Sequence, residues 1–433
     1  MRFHVLGVPH TVTNKEYLSC AYTQKVFKFC KMMKARGHHV IHYGHEDSDP
    51  DCNEHVTVVT NDDLKKAYGS YDWKREFFKY DLKDAAYTAF YENTIKEIKQ
   101  RKQKNDFILP FWGSGVKPVC DAHKDLLCVE PGIGYPGGMW ANFKVFESYA
   151  MLHAYMGLRS VGTCDPQNYD VVIPNYFDPE EFEFSAEKDD YVLFLGRVYS
   201  GKGLDIAVQV TEHVGVKLLV AGQNNMEKSG YKTIPPHVAE LGHAGLEQRK
   251  KLLSRARCVI TASQFLEPFC GVHMEALMSG TPVISTDWGV FTETNLHGIT
   301  GYRCRTFNDF VWAVRNSHKI SPYHCREWAM NFSLDQVADR YEKYFKDVLN
   351  VAQHKGWYDT REPMSHIYIP KYPSTSVDPR YLGIGVDTTK GETSVCNNLD
   401  WAIIKDTDNV EEWRKRAKHV TIKHTSGHFF QTK

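Results

Sequence analysis

The chain has no apolar run approaching the roughly 20 residues that a membrane-spanning helix needs. Its opening stretch, MRFHVLGVPHTVTN, is broken by His4 and Pro9, and no signal-type segment is read there. A spanning helix is thereby excluded, and the expectation is a cytoplasmic protein with no integral membrane segment. Net charge is absent as well: Lys+Arg and Asp+Glu number 53 each, so no whole-chain field recruits nucleic acid or anionic lipid. Nor is there the pattern of a disulfide framework. Eleven cysteines is an odd count, and Cys120, Cys128 and Cys258 lie in apolar runs, as reduced core thiols do.

What is present is an alternation of strand-like and helix-like segments, the pattern of parallel α/β architecture. RFHVLGV reads as a strand, AYTQKVFKFCKMMKARG as an amphipathic helix stopping at Gly37, and HHVIHYG as the next strand. NDFILPFW, LLCVEPG and YDVVIPN continue the strands, and ESYAMLHAYMG is a helix. A second series opens at YVLFLGR and runs through VKLLVAG, HVAELG, EQRKKLLSRA, CVITAS and TPVIST. Between them NYFDPEEFEFSAEKDD is acidic and aperiodic, the character of a linker. A length of 433 residues is too great for one core. The expected division is 1–175, 176–332, a returning helix at 333–353, and an extension over 354–433. In such sheets ligands sit at the carboxyl ends of strands.

Two stretches carry chemistry. In FLGRVYSGKG, Arg197 ends a strand and Lys202 precedes a helix between Gly201 and Gly203, so two cations can converge on one anion such as a diphosphate. A solvated turn with two unrelated charges is the competing reading. In EPFCGVHMEA, the chain enters a helix near Gly271, where unsatisfied amides can hold phosphate oxygens or a sugar. Glu275 falls one turn into that helix and Glu267 stays on the loop. Carboxylates have little place in a phosphate site alone, but hydroxyl-rich groups on either side of a diphosphate call for them. Together the two stretches describe a site for a sugar nucleotide.

From VVIPNYFDPEEF to CREWAMNFSLDQVADRYEKYF, residues 171 to about 350, the chain resembles the GT-B retaining glycosyltransferases, specifically glycosyltransferase family 4. Glutamate, seven residues, glutamate is the most specific element. The resemblance implies an α/β fold of GT-B architecture, with two Rossmann-like domains facing an interdomain cleft, plus the extension. It implies that Arg197 and Lys202 bind donor phosphates, that Glu267 contacts the transferred sugar and Glu275 the ribose. Amides of Phe269, Cys270, Gly271 and Val272 would hold sugar and phosphate, and Leu241 and Gly242 would meet the base through backbone. The implied reaction moves a hexose or related sugar from a UDP- or GDP-sugar to a glycan or other hydroxyl acceptor, with anomeric retention and without a metal. A catalytically inactive sugar-nucleotide-binding or scaffold protein of the same fold is the alternative.

The N-terminal half departs from that family. GVPHTVTNKEY lacks the paired glycines common after the first strand, and ILPFWGSG lacks the usual histidine. His10, Thr11 and Thr13 are candidates for the cleft instead. VEPGIGYPGGMWANFKVFESYAMLHAYMG, residues 129–157, resembles a subgroup carrying GIGY and FESYA, and offers Glu130, Tyr135 and Glu147. GIGYPG matches GxGxxG, but Pro136 and the mid-domain position suit a dinucleotide turn poorly. HYGHEDSDPDCNEH concentrates His42, His45, Asp47, Asp49, Cys52 and His55 without any closed zinc spacing and reads as a polar loop. DSD at 47 and DTD at 406 resemble the aspartate pair of metal-dependent transferases of another fold, and read as solvated loops. His153 and Met151 read as packing residues.

Overall fold

A computed structural model describes residues 1–135, 139–159, 169–353 and 370–373, with the backbone of 385–387 and 392–394. The expected 354–433 extension therefore lies largely outside the described residues, as do Pro136 and Gly137 of GIGYPG and the DTD at 406.

The first sheet contains β1 (Arg2–Leu6), β2 (His39–His45), β3 (Glu54–Val59), β4 (Phe107–Pro110), β5 (Leu127–Ile133), β6 (Phe143–Phe146) and β7 (Asp170–Val172). All pairings are parallel, in the order β3-β2-β1-β4-β5-β6-β7. The second contains β8 (Tyr191–Leu195), β9 (Lys217–Ala221), β10 (Val238–Gly242), β11 (Cys258–Thr261), β12 (Val283–Thr286) and β13 (Gly301–Cys304), parallel in the order β10-β9-β8-β11-β12-β13. In each sheet the winding reverses once, beside β1 and β4 in the first and beside β8 and β11 in the second. At such a switch point the flanking crossovers leave in opposite directions and open a crevice at the carboxyl ends. The stretches FLGRVYSGKG and EPFCGVHMEA follow β8 and β11, so both feed the second crevice.

Three strands of the two large sheets escape sequence reading, Glu54–Val59, Phe143–Phe146 and Gly301–Cys304. Glu54–Val59 begins inside the histidine-rich stretch 42–55 read as a loop, and six residues of that stretch, 42–45 and 54–55, are strand. His42 and His45 lie in β2 and His55 in β3, with His42 Nδ1 2.9 Å from His55 Nδ1. Phe143–Phe146 is hidden because four residues are too few to establish a period.

Helices cross between strands by apolar spacing. Ala21–Ala35 buries Val26, Phe29, Cys30 and Met33, an i, i+3, i+4, i+7 stripe. The long helix Leu334–Ala352, capped by Ser333 on the Gln336 amide, buries Val337, Ala338, Tyr341, Tyr344, Phe345 and Val348. Those side chains belong to the core of the first domain: Phe345 packs 4.7 Å from Phe3 and 5.1 Å from Phe107. The chain thus crosses from the first sheet to the second and returns. Both crossings run side by side, Phe177 NH donating to Phe332 O at 2.9 Å and Leu334 NH to Phe177 O at 3.0 Å. A double crossing with shared hydrogen bonds fixes where the two domains meet.

Candidate functional site: the cleft between the two sheets

Close backbone approach builds the second-domain wall. A Cβ on Gly222 would lie 1.7 Å from Gly196 O, so the loops after β8 and β9 touch through two glycines. Gly203, at φ +78°, does the same farther along: a Cβ there would lie 2.1 Å from Ala262 O. The SGKG turn is therefore pressed against the end of β11, and Gln264 NH donates to Gly201 O at 2.9 Å. Lys202 is thereby aimed at the following loop. Its Nζ lies 2.5 Å from Glu267 Oε1, which also accepts from Ser263 Oγ at 2.5 Å. The Glu267 side chain is 5% exposed and that of Lys202 21%.

Beyond Glu267 the loop is anchored by Phe269, buried between Phe177 and Phe332 at centroid distances of 6.0 and 5.8 Å. Cys270 then adopts the left-handed conformation, φ +63°, which costs a residue with a Cβ about 1–2 kcal/mol. That turn starts the helix Gly271–Met278, and no side chain caps its first amides. Gly271 and Val272 face the cleft. Burial pushes the Cys270 thiol up to about 12, so it is no nucleophile at neutral pH. Glu275 leans over the same turn, with Oε1 3.7 Å from where a Gly271 Cβ would be. Its other oxygen accepts from both Nε, at 2.8 Å, and an Nη of Arg249. Sequence reading missed Arg249. Its signal was the spacing of Leu246, Arg249 and Leu253, one face of the helix Leu246–Arg255, and all three line the cleft.

The opposite wall comes from the helix Ala21–Ala35 and from the ends of β5 and β6. Lys25 Nζ donates to Glu147 and, at 2.7 Å, to Gly132 O, while Asn175 Nδ2 donates to the second Glu147 oxygen at 3.0 Å. Burial pulls the Lys25 ammonium down against the pull of its carboxylate partner. A Cβ on Gly134 would come within 2.6 Å of Glu147 Oε1 and 2.9 Å of Pro268 Cβ. Glu147 of one domain therefore stands beside the residue that follows Glu267 of the other. Arg197, Lys202, Glu267, Glu275, Lys25 and Glu147 all line one cleft of about 420 Å³.

Other sequence candidates lie elsewhere. His10 is buried, 3.0 Å from Tyr87 Oη and packed against Phe78, Tyr80 and Trp112, and burial drives its imidazole down to about 3. Thr11 bonds Thr23 at 2.6 Å, and Thr13 NH donates to Ser48 Oγ. Glu130 turns inward, accepting from Tyr135 Oη, Trp140 NH and Ala141 NH; burial lifts its carboxyl above the usual range. These five residues organise the first domain rather than the cleft wall. Leu241 and Gly242 are not among the residues lining the cleft; β10 slips register between Glu240 and Gly242, and His243 and Ala244 form the wall. Met151 is buried, and His153 is exposed with its ring 5.9 Å from that of Tyr149, packing at the surface rather than in the core.

Comparison with known proteins bears on this geometry. Residues 178–316 match the family model of the glycosyl transferases group 1. The chain is 26% identical to an uncharacterized glycosyltransferase of Methanocaldococcus jannaschii, over 58% of this chain and 72% of that one. Among solved structures, sucrose-phosphate synthase from Thermosynechococcus elongatus aligns over 81% of this chain and 100% of its own, with TM-score 0.62 and 14% identity. Anabaena HepE, solved in complex with UDP and glucose, aligns over 80% and 99%, with TM-score 0.57 and 13% identity. The fold is GT-B. The matched family segment contains the second-domain cations and carboxylates of the cleft, and together with the relative it supports sugar transfer as the class of chemistry. No helix among the described residues is long and apolar enough to cross a membrane.

Proposed function

We propose that this chain is a retaining, metal-independent glycosyltransferase of family 4 type, acting in the cytoplasm. It moves a hexose or related sugar from a nucleotide sugar, such as a UDP- or GDP-sugar, to a glycan or other hydroxyl acceptor. One observation carries the reading: three cations, Arg197, Lys202 and Arg249, and two carboxylates, Glu267 and Glu275, from the loops and helices after β8, β10 and β11 converge on a single cleft at a topological switch point. The UDP and glucose held by the structurally similar HepE support the same class of ligand.

Departure of a nucleoside diphosphate places growing negative charge on the leaving phosphate. Arg197, Lys202 and the uncapped amides of Gly271 and Val272 stabilise that charge from fixed positions, the form of electrostatic help that needs no reorganisation during the reaction. Glu267 orients the sugar ring, and Glu275, locked by Arg249, receives the ribose. The acceptor enters from the side of Lys25 and Glu147 and attacks on the face the phosphate leaves. The departing phosphate takes its proton, so no separate base is required.

The test is a panel of UDP-glucose, UDP-N-acetylglucosamine, GDP-mannose and related donors, with and without EDTA, following release of the nucleoside diphosphate. Release from at least one donor, undiminished by EDTA and lost in Arg197→Ala, is expected. Release that vanishes with EDTA and returns with manganese would refute metal independence. Tight binding without hydrolysis or transfer would return the inactive reading.

A further inference from the structure

Between the helices Asn61–Tyr68 and Ala85–Arg101 the first domain sends out a strap, SYDWKREFFKYDLKD, residues 70–84, that reaches the second domain. Trp73 is its contact point. The ring stacks on Tyr17 of its own domain at 4.4 Å and 21°, and meets His243 of the other domain edge-on at 5.6 Å. Gln223, in the loop after β9, holds the strap backbone: its Nε2 donates to Trp73 O at 2.7 Å and to Glu76 O. Two carbonyl oxygens on one side of the amide fix which way it faces, since a flipped amide would set oxygen against oxygen. The other end of the same amide is left over. Gln223 Oε1 is buried with no hydrogen-bond partner, in a residue 4% exposed that lines the cleft beside Gly222 and His243.

A buried acceptor without a donor is costly unless a ligand completes it. The ligands that fit are those presenting a hydroxyl or N–H group at the wall formed by the ends of β8, β9 and β10. We propose that Gln223 is a further donor-contacting residue: its amide nitrogen holds the strap of the opposite domain, and its amide oxygen accepts from a hydroxyl of the nucleotide sugar. This rests on the donor reading above. One side chain then serves both partners. Whatever orients the amide for the ligand also seats the strap, and linkage requires that a ligand favouring that orientation stabilise the strap equally.

The experiment measures UDP and UDP-glucose binding by calorimetry in the full chain, in Gln223→Leu and in Trp73→Ala, with thermal melting as a control on folding. Trypsin digestion is run with and without each ligand, since Lys74, Arg75 and Lys79 are exposed on the strap. Gln223→Leu is expected to weaken UDP-glucose about tenfold. Equal weakening of UDP identifies a ribose hydroxyl as the partner, and weakening of UDP-glucose alone identifies the sugar. Ligand should slow strap cleavage about fivefold in the full chain and not in Gln223→Leu. Trp73→Ala should speed cleavage and weaken binding severalfold, even with Gln223 intact. Unchanged affinity of Gln223→Leu for both ligands, or strap cleavage indifferent to ligand in the full chain, overturns the inference alone. If UDP, UDP-glucose, GDP and GDP-mannose all fail to bind the full chain, the donor reading falls together with it.

Discussion

Removing Lys202 should cost stability as well as turnover, and the two losses should separate in a second variant. Glu267 is buried, and its Oε1 is held by Lys202 Nζ and by Ser263 Oγ, each at 2.5 Å. Lys202→Met keeps the aliphatic stem but removes the ammonium, which lies over the Phe265 ring at 4.9 Å, and leaves the carboxylate with a single neutral donor. Breaking a fully buried pair costs about 3–5 kcal/mol. The lysine is 21% exposed and the serine remains, so about 2 kcal/mol is the reasonable loss here. In a domain of this size that is a fall in Tm of roughly 4–8 °C. Adding Glu267→Gln to Lys202→Met removes the uncompensated charge and should restore most of that loss, while donor turnover stays abolished. Circular-dichroism melts of the two variants and the parent decide the matter. A Lys202→Met protein that melts with the parent, or a double variant that melts as low as the single one, would refute the buried-pair reasoning.

Further outcomes follow from the same geometry. Arg249→Ala should weaken nucleoside diphosphate binding about tenfold, because Glu275 loses the cation that holds one of its oxygens; unchanged binding in calorimetry would show that Arg249 does not set the Glu275 position. His273 is buried neutral, with its ring bonded to Thr294 O at 3.2 Å and its protonation pushed down to about 4 by burial. A lowered histidine value means that the unfolded chain takes up the proton first. Stability is then unaffected above about pH 6.5 and declines from there down to about pH 4, by about 1.4 kcal/mol per pH unit over most of that window. His273→Gln should therefore lose less stability than the parent between pH 7 and 5.5, and equal losses in urea melts would assign the acid sensitivity elsewhere.

The second domain was far more legible in sequence than the first, for a physical reason. Arg197, Lys202 and Glu267 sit in short segments between strand and helix and Glu275 one turn into the helix that follows, where glycines and helix starts leave few ways to point a side chain, so order along the chain nearly dictates geometry. Arg249 is brought to Glu275 by packing between two helices, and only its place on the face of Leu246 and Leu253 hinted at it. In the first domain His10, Thr11 and Thr13 follow β1 as cleft residues would, yet the aromatic side chains of Phe78, Tyr80, Tyr87 and Trp112 close over His10. Glu130 illustrates the same limit, since three donors turn it inward. Lys25, which faces the cleft, lay inside a helix read only for its apolar stripe. Where the chain returns to the first domain, the apolar spacing of Leu334–Ala352 was plain, but its pairing of Phe177 with the segment around Ser333 depends on residues more than a hundred positions apart.

The most direct measurement of the cleft's division of labour is calorimetric titration of the active donor and of its bare nucleoside diphosphate into Glu267→Gln and Glu275→Gln. Glu275→Gln should weaken both ligands by about 1.5–3 kcal/mol, the worth of a charged hydrogen bond. Glu267→Gln should bind the bare nucleotide at least as well as the parent, because Lys202 then meets the phosphates without a competing carboxylate charge. The same variant should transfer sugar far more slowly, having lost an orienting contact that the bare nucleotide never makes. Equal weakening of the bare nucleotide by the two substitutions, at unchanged stability, would contradict a cleft that reads sugar at Glu267 and nucleotide at Glu275.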